Sequence, residues 1–220
     1  MDTAVRGRRE GRSVAYDRIR AGIVDRSLAP GSVLSAPDLA DQLGMSRTPV
    51  REALATLTAE GLAVKLPSNR TIVAPVSLEE LEHVYDVRAR LEGLIARDAA
   101  KRVTPADEQV LLRQVALMDR LRDDYLEVVR IGAAFHDHLR VMSGNELAGS
   151  LLHIVRAHVD RYRELTTEQP GRSGHAADEH RQVCEAVLSG DPDLAERVMR
   201  EHIEQAHAVA IRLARPVVEG

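Results

Sequence analysis

The stretch GMSRTPVREAL, residues 44–54, places two arginines at the start of a short amphipathic segment. Arg47 and Arg51 are four residues apart, so in a helix they lie on one side, away from the apolar stripe that Val50 and Leu54 begin. An arginine guanidinium matches the two acceptor atoms on the guanine edge in the major groove. Two arginines on an isolated helix would indicate only a solvated face, so the interpretation depends on the surrounding sequence.

The segments on both sides of this stretch predict a winged helix-turn-helix. Capping sequences and apolar periodicity indicate three helices, and only three residues, GMS, separate the second from the third. Two short strands around PSNR follow as a hairpin. In this fold the third helix is the one that enters the major groove of DNA. The predicted helices cover residues 13–26, 35–44 and 46–60, and the predicted strands cover residues 62–66 and 71–75.

From Ser77 onward the sequence predicts helices alone, six in number. The motifs SLEE and TPAD are capping boxes that open the first two of them, and GDPD is a turn before the last. We therefore expect a mainly α protein in three parts. They are a disordered basic tail (residues 1–12), a winged helix-turn-helix domain of three helices plus a β-hairpin wing (residues 13–75), and an all-α six-helix bundle (residues 77–215).

Charge is distributed unevenly between these parts. Residues 1–70 hold eleven Arg and Lys against eight Asp and Glu, a net charge of +3, and the other 150 residues carry −7, which gives the total of −4. This is the distribution expected if only the N-terminal part of the chain contacts phosphate. The longest stretch without Asp, Glu, Lys or Arg has eleven residues, too few for a membrane-spanning helix. The single cysteine, Cys184, excludes an internal disulfide, so we expect no membrane contact and a reducing, cytoplasmic location.

Three histidines of the helical part lie on or beside apolar stripes of three different helices. They are His136, His180 and His202. Imidazole nitrogen is a common zinc ligand, and three histidines leave a coordination position open for water or a ligand. A single inward histidine is more often a satisfied core residue, so both interpretations stay open at this point.

Arg88 falls in the middle of an apolar stripe on the first helix of that part. A buried guanidinium requires an anion, because an unpaired internal charge is costly. Glu92, one helical turn further on, is one candidate partner, and the carboxylate of a ligand is the other. The two candidates stand equal on the sequence.

The residues SAPDLADQLGMSRTPVREALATLTAEGLA, 35–63, resemble the DNA-binding domain of the GntR family of bacterial transcription regulators. The resemblance implies that the start of the third helix contacts operator bases and phosphates, through Ser46, Arg47, Thr48 and Arg51. Arg70, at the wing tip, is by its position a candidate for contact with a phosphate or with the minor groove. The sequence departs from the family at Pro37, where an arginine is frequent, and at residues 68–70, where the wing tip usually has a glycine.

The helical part resembles the FCD ligand-binding domain of the FadR-like subfamily through AFHDHL, EHRQVCEAVLSGDPDLA and MREHI. The resemblance implies a divalent metal, zinc above all, bound through His136, His180 and His202. It also implies a small organic acid held by the metal and by Arg88. The sequence departs at Gly132, where the family has an aspartate ligand, so water or the carboxylate of the effector would complete the site.

Together these features predict a DNA-binding transcription regulator, a repressor in most such proteins, that acts as a homodimer on a pseudo-palindromic double-stranded operator. A small carboxylate metabolite would control it. One alternative is a metal-dependent enzyme, although the sequence contains no HExxH pair, Ser/His/Asp string or identifiable general base. The other alternative is a DNA binder with a metal-free helical domain and no effector.

Overall fold

The computed structural model describes residues 2–162 and 172–218 of the chain. Within those ranges, nine helices and one two-stranded antiparallel sheet make a mainly α fold, which confirms the predicted fold class. The elements are α1 (Asp2–Val24), α2 (Ala36–Leu43), α3 (Arg47–Ala59), β1 (Ala63–Lys65), β2 (Thr71–Val73), α4 (Leu78–Ala100), α5 (Pro105–Arg120), α6 (Tyr125–Ser143), α7 (Glu146–Asp160), α8 (Arg172–Leu188) and α9 (Pro192–Val218).

The chain divides into two compact units after Ser77. The N-terminal unit comprises Met1–Ser77 and Ala157–Glu164, and the C-terminal unit comprises Leu78–Arg156 and Leu165–Gly220. The sequence predicts two uninterrupted domains, at residues 13–75 and 77–215. It therefore does not anticipate that the chain contributes a second segment, beginning at Ala157, to the N-terminal unit.

Apolar stripes at helical spacing on α1 and α3 form the core of the N-terminal unit. Val50 and Leu57 of α3 are fully buried, and Ile19 of α1 is 1% exposed. Gly44 ends α2 in the left-handed region at φ 66°, which lets the chain turn sharply toward α3. This turn and this core hold α3 with its apolar face inward.

The wing is an antiparallel hairpin of β1 and β2. Ala63 pairs with Val73, and Lys65 pairs with Thr71 next to the turn. At the tip, Asn69 has φ 65°. Asparagine tolerates the left-handed region because its short polar side chain can form local hydrogen bonds. Asn69 therefore takes the conformation for which such wings usually have a glycine.

A buried arginine just after α7 belongs to the N-terminal unit. Arg161 is 1% exposed, and its Nη2 donates to the carbonyl oxygens of Ala74 and Pro75, the latter at 2.8 Å. The hydroxyl of Tyr162 accepts from the Ser77 amide and donates to the Ser77 carbonyl, both at 2.9 Å. These bonds hold the short segment that follows the wing.

α1 begins at Asp2, whereas the sequence analysis expects a disordered tail over residues 1–12. Arginine and glutamate are good helix formers, and a glycine in a helix interior costs only about 1 kcal/mol. Gly7 and Gly11 therefore do not stop a helix whose later turns are already fixed by burial. The structure thus differs from the expectation over residues 2–12, which are part of α1.

In the C-terminal unit, α4 packs along α9 and against α6, and α8 packs against α5, α6 and α9. Thr104 and Asp107 form the predicted capping box of α5: the Asp107 amide donates to Thr104 Oγ1 at 3.2 Å, and the Thr104 amide donates to the Asp107 carboxylate at 3.1 Å. The core residues include Ile95, Leu111, Phe135, Val183 and Ile203. None of the helices in the described ranges is long and apolar enough to cross a bilayer.

Cys184 of α8 gives a direct test of this packing. It is 1% exposed, and burial raises the pKa of its thiol to about 11. Because the thiolate is the reactive form, we expect Ellman's reagent at pH 8 to label the native protein slowly and the protein in urea rapidly. Native labelling as fast as that of free cysteine would contradict the buried position.

Candidate DNA-binding surface and metal centre

The amino terminus of α3 is exposed. Ser46 occupies the cap position in an extended conformation, φ −75° and ψ 159°, and its side chain makes no capping hydrogen bond. The first amides of a helix have no partner within the helix, and with the helix dipole they attract an anion. The start of α3 can therefore receive a DNA phosphate.

Arg47, Thr48 and Arg51 are exposed on α3, while Val50 and Leu57 on its inner face are fully buried. Within the part of the chain that the structure describes, neither arginine forms an ion pair with a carboxylate. Their guanidinium groups are therefore available to base edges or to phosphates.

Arg70 lies on the wing, in the same compact unit as α3. It is exposed, and its Nε donates to Ser68 Oγ at 3.4 Å, a long bond between two solvated side chains. Pro37, in the first turn of α2, carries neither a charge nor an amide hydrogen. The contact that an arginine makes there in many GntR proteins is therefore missing from this surface.

α6, α8 and α9 each contribute one buried histidine to a single cluster in the C-terminal unit. His136, His180 and His202 are 5–6% exposed, and their ligating nitrogens lie within 4.8 Å of one another. The Nε2 atoms of His136 and His202 are 3.3 Å apart. Two ring nitrogens that both carry lone pairs repel at this distance unless a proton or a cation lies between them. The fold thus brings together the three histidines that the sequence singles out.

Each imidazole has an oxygen atom next to its Nδ1. The Nδ1 of His202 donates to Glu179 Oε2 at 2.8 Å and that of His180 to the Ala176 carbonyl oxygen at 2.6 Å, while the Nδ1 of His136 lies 2.5 Å from Glu92 Oε2. Carboxylate and carbonyl oxygens accept, so each Nδ1 carries the proton and each Nε2 carries a lone pair. Hydrogen bonding of this kind orients metal-ligating histidines. The Nε2 of His180 is buried and has no hydrogen-bond partner among the described residues.

The electrostatics of the cluster favour an uncharged imidazole at His136 and at His180. Burial lowers the pKa of His136 to about 4, against the opposing effect of Glu92, and burial lowers the pKa of His180 well below its ordinary value. Burial alone would raise the pKa of Glu92, but His136 and the guanidinium groups of Arg88 and Arg156 hold it well below its ordinary value. Neutral imidazole is the form that binds metal.

Gly132 leaves no side chain on α6 where the family has an aspartate. A Cβ built on Gly132 would lie 2.9 Å from the Nε2 of His180, so the histidine ring occupies the space next to the glycine. Among the described residues, no carboxylate oxygen joins the three histidines. Three convergent imidazoles, with the Nε2 of His180 lacking a hydrogen-bond partner among the described residues, nonetheless fit a divalent ion such as zinc.

Arg88 pairs with Glu92, which is one of the two partners that its sequence position predicts. Its Nε donates to Glu92 Oε1 at 2.8 Å, and its guanidinium carbon lies 5.5 Å from the centre of the Tyr85 ring. The Arg88 side chain is 14% exposed and that of Glu92 is 1% exposed. The pairing with Glu92 accounts for the burial of Arg88 and places its guanidinium next to the histidine cluster.

Arg156 and Glu179 are site residues that the sequence analysis missed. Arg156 Nη2 is buried without a hydrogen-bond partner and lies 3.5 Å from Glu92 Oε2, while Nη1 donates to Asp137 at 2.8 Å. For Glu179 the sequence offers one indication of a place in the site, its position directly before His180. No local pattern singles out Arg156, because its place in the site depends on how α7 packs.

Comparison with known proteins identifies the class of protein to which this fold and site belong. Residues 12–73 match the family model of the bacterial regulatory proteins of the gntR family, and residues 83–205 match the FCD domain. The chain belongs to the GntR family of bacterial transcription regulators and carries an FCD domain.

Individual relatives agree with this assignment. An HTH-type transcriptional regulator in an unstable DNA locus of Streptomyces ambofaciens is 31% identical over 196 residues, which cover 89% of this chain and 83% of that protein. The HTH-type transcriptional repressor RspR of Escherichia coli strain K12 is 28% identical over 195 residues, covering 86% and 84%. The structure of E. coli McbR/YncC shares the fold, with a TM-score of 0.75 at 19% identity over 92% of this chain and 97% of that chain.

The matched families and relatives are transcription regulators and not enzymes. This excludes the enzyme alternative raised by the three histidines. The protein is a DNA-binding transcription regulator.

Replacing one arginine of α3 tests its contact with DNA. We expect Arg51→Ala to weaken operator binding by about 1–3 kcal/mol and to relax discrimination at one base position of each half-site. Arg113→Ala is the matched control, because Arg113 is exposed on α5 in the C-terminal unit. Fluorescence anisotropy with operator duplexes measures both variants, and wild-type affinity for Arg51→Ala would refute its assignment.

Proposed function

We propose that the protein is a cytoplasmic, homodimeric repressor that binds a pseudo-palindromic operator and is controlled by a small organic acid. The acid binds in the C-terminal unit, beside a divalent metal ion, zinc above all, held by His136, His180 and His202. The observation that supports this effector site best is the convergence of three buried histidines, whose ligating ring nitrogens lie within 4.8 Å of one another, next to two guanidinium groups.

On the DNA side, the exposed start of α3 enters the major groove. Arg47 and Arg51 face base edges or phosphates, and Thr48 meets a phosphate or a thymine methyl group. The free amides behind Ser46 receive a phosphate, and Arg70 reaches a phosphate or the minor groove from the wing. The exposure of all four side chains and the burial of the opposite face of α3 support this orientation.

A homodimer follows from the amount of sequence that one α3 can read. One recognition helix contacts only a few base pairs, and a two-fold dimer reads two half-sites about one helical turn apart. Such a dimer requires a pseudo-palindromic operator. Repression is the direction suggested by RspR of E. coli, which is named a repressor and is 28% identical to this chain.

The anion site combines the histidine cluster with Arg88 and Arg156. A bound divalent ion would supply a Lewis-acidic position for a carboxylate. Arg88 and Arg156 both flank Glu92, and Arg156 is also paired with Asp137. The Nη2 of Arg156 lies 3.5 Å from Glu92 and has no hydrogen-bond partner among the described residues, so it is a donor for a carboxylate or a hydroxyl group of the acid.

Control of DNA binding requires that the acid bind one arrangement of the dimer better than another. Its effect on operator affinity cannot exceed that difference in binding free energy, and couplings of this kind are about 1–3 kcal/mol. The effector therefore changes operator affinity by roughly 5–150-fold.

Selection from random duplex DNA tests the proposed function directly. We expect the purified protein to enrich one pseudo-palindromic site, since two copies of α3 read related half-sites. A panel of small carboxylic acids is then screened by thermal shift and by gel shift on that site, and at least one acid should raise the melting temperature and change operator affinity. Failure to enrich a palindrome would refute the operator model, and a panel without effect would favour the effector-independent DNA binder.

Elemental analysis tests the metal centre. We expect one divalent ion per chain in the wild-type protein and its loss in His180→Ala, because one of three protein ligands is removed. His175→Ala is the matched control, since His175 is an exposed histidine on the same helix, and circular dichroism checks that both variants are folded. A wild-type protein that stays metal-free after incubation with zinc would contradict the proposed centre.

A further inference from the structure

The basic surplus of the N-terminal part lies in one short stretch of α1. Residues 6–12, RGRREGR, hold four arginines and one glutamate, a net charge of +3. Residues 1–70 as a whole hold eleven basic and eight acidic side chains, also +3, so their other positions hold seven of each and carry no net charge. The DNA-binding unit therefore depends on this arginine stretch for its net attraction to phosphate. Its arginines are Arg6, Arg8, Arg9 and Arg12.

α1 meets the amino-terminal end of α3 close to the arginine stretch. A Cβ placed on Gly11 would lie 3.8 Å from both Met45 Cε and Pro49 Cβ, an ordinary van der Waals distance. Met45 precedes the cap of α3, and Pro49 lies in the first turn of α3. Five residues further along α1, the Tyr16 hydroxyl donates to Glu60 Oε2 at 2.8 Å, at the other end of α3. Both helices therefore have their amino-terminal ends on the same side of the N-terminal unit.

All four arginines lie near this meeting point along the chain. α1 is one continuous helix from Asp2 to Val24. A helix rises about 1.5 Å per residue, so Arg6 is only about 7.5 Å from Gly11 along the helix axis. Arg12, the residue after Gly11, is exposed. The arginine stretch thus lies at the end of the N-terminal unit where the exposed start of α3 lies.

The hydrophobic core does not account for the length of α1. The core positions of this helix begin at Ala15 and continue with Ile19 and Ile23. A helix that served only the core could begin near Ser13, but α1 begins at Asp2, about three turns earlier. A run of charge on a helix is commonly a solvated face. Here the run holds the whole basic surplus and lies beside the recognition helix, which favours contact with DNA.

We propose that the arginine stretch of α1 is a second DNA-binding element, which contacts phosphates of the duplex beside the groove that α3 enters. This inference goes beyond the proposed function, in which only α3 and the wing contact DNA, and it rests on that function for the end of the unit that faces the duplex. Phosphate contacts carry no sequence information. The arginine stretch therefore adds affinity and salt dependence and leaves the choice of bases to α3.

The salt dependence of DNA binding measures these contacts. Fluorescence anisotropy at several salt concentrations gives the affinity of the full-length wild type and of the combined variant Arg6→Gln, Arg8→Gln, Arg9→Gln. Glutamine and arginine have similar helix propensities, so the variant keeps the tendency of α1 to be helical. Each phosphate contact with B-DNA contributes about 0.9 to the slope of log affinity against log salt concentration, and we expect the variant dimer to lose roughly 2–5 of that slope. Its affinity should fall by the same factor for operator and for random duplex DNA.

A control variant removes the same charge elsewhere in the chain. The combined variant Arg113→Gln, Arg120→Gln, Arg197→Gln replaces three exposed arginines of the C-terminal unit and should keep the wild-type slope. A loss of less than about 0.9 in the α1 variant, or an equal loss in both variants, would overturn the proposal. A lower melting temperature of the α1 variant with an unchanged slope would assign its arginines to pairing within the protein and would also overturn it.

Comparison of operator with random duplex DNA separates this inference from the proposed function. If the wild type prefers one operator and the α1 variant keeps the wild-type slope, the second DNA-binding element is wrong while the operator model stands. If the wild type prefers no duplex and the α1 variant loses slope, contact of α1 with phosphate stands while base readout by α3 is wrong.

Discussion

The burial of the inner face of α3 is the constraint on which the DNA-binding surface depends. Val50 and Leu57 are fully buried, and Gly44 turns the chain so that α3 starts immediately after α2. Rotating α3 to hide Arg47 or Arg51 would expose that apolar face, at a cost of about 1.5–3 kcal/mol for each large aliphatic side chain. The position of the guanidinium groups therefore follows from hydrophobic packing, before any contact with DNA is made.

A similar relation between packing and chemistry holds in the C-terminal unit. α6, α8 and α9 pack so that three imidazoles meet, and acceptor oxygens on α4 and α8 fix the side of each ring that carries the proton. Gly132 gives the His180 ring its space and at the same time withholds a carboxylate.

Features that depend on a local sequence pattern could be predicted from the sequence, whereas contacts between distant segments of the chain could not. The stripe of α3, the capping box at Thr104 and the three inward histidines all follow from spacing along one helix. Arg156 could not be found in this way, because its contact with Glu92 joins α7 to α4 across 64 residues of chain. The contribution of Arg161 to the N-terminal unit was missed for the same reason. Residues 1–12 were expected to be disordered because composition was weighed above helix propensity, whereas α1 begins at Asp2.

The central claim is that guanidinium groups at the start of α3 read base edges in the major groove. The most direct measurement replaces single guanines of the selected operator with 7-deazaguanine, which removes the N7 acceptor while base pairing is retained. We expect binding to weaken at one or two guanines in each half-site, at positions related by the two-fold axis of the operator. Unchanged affinity at every substituted guanine would contradict base readout by α3.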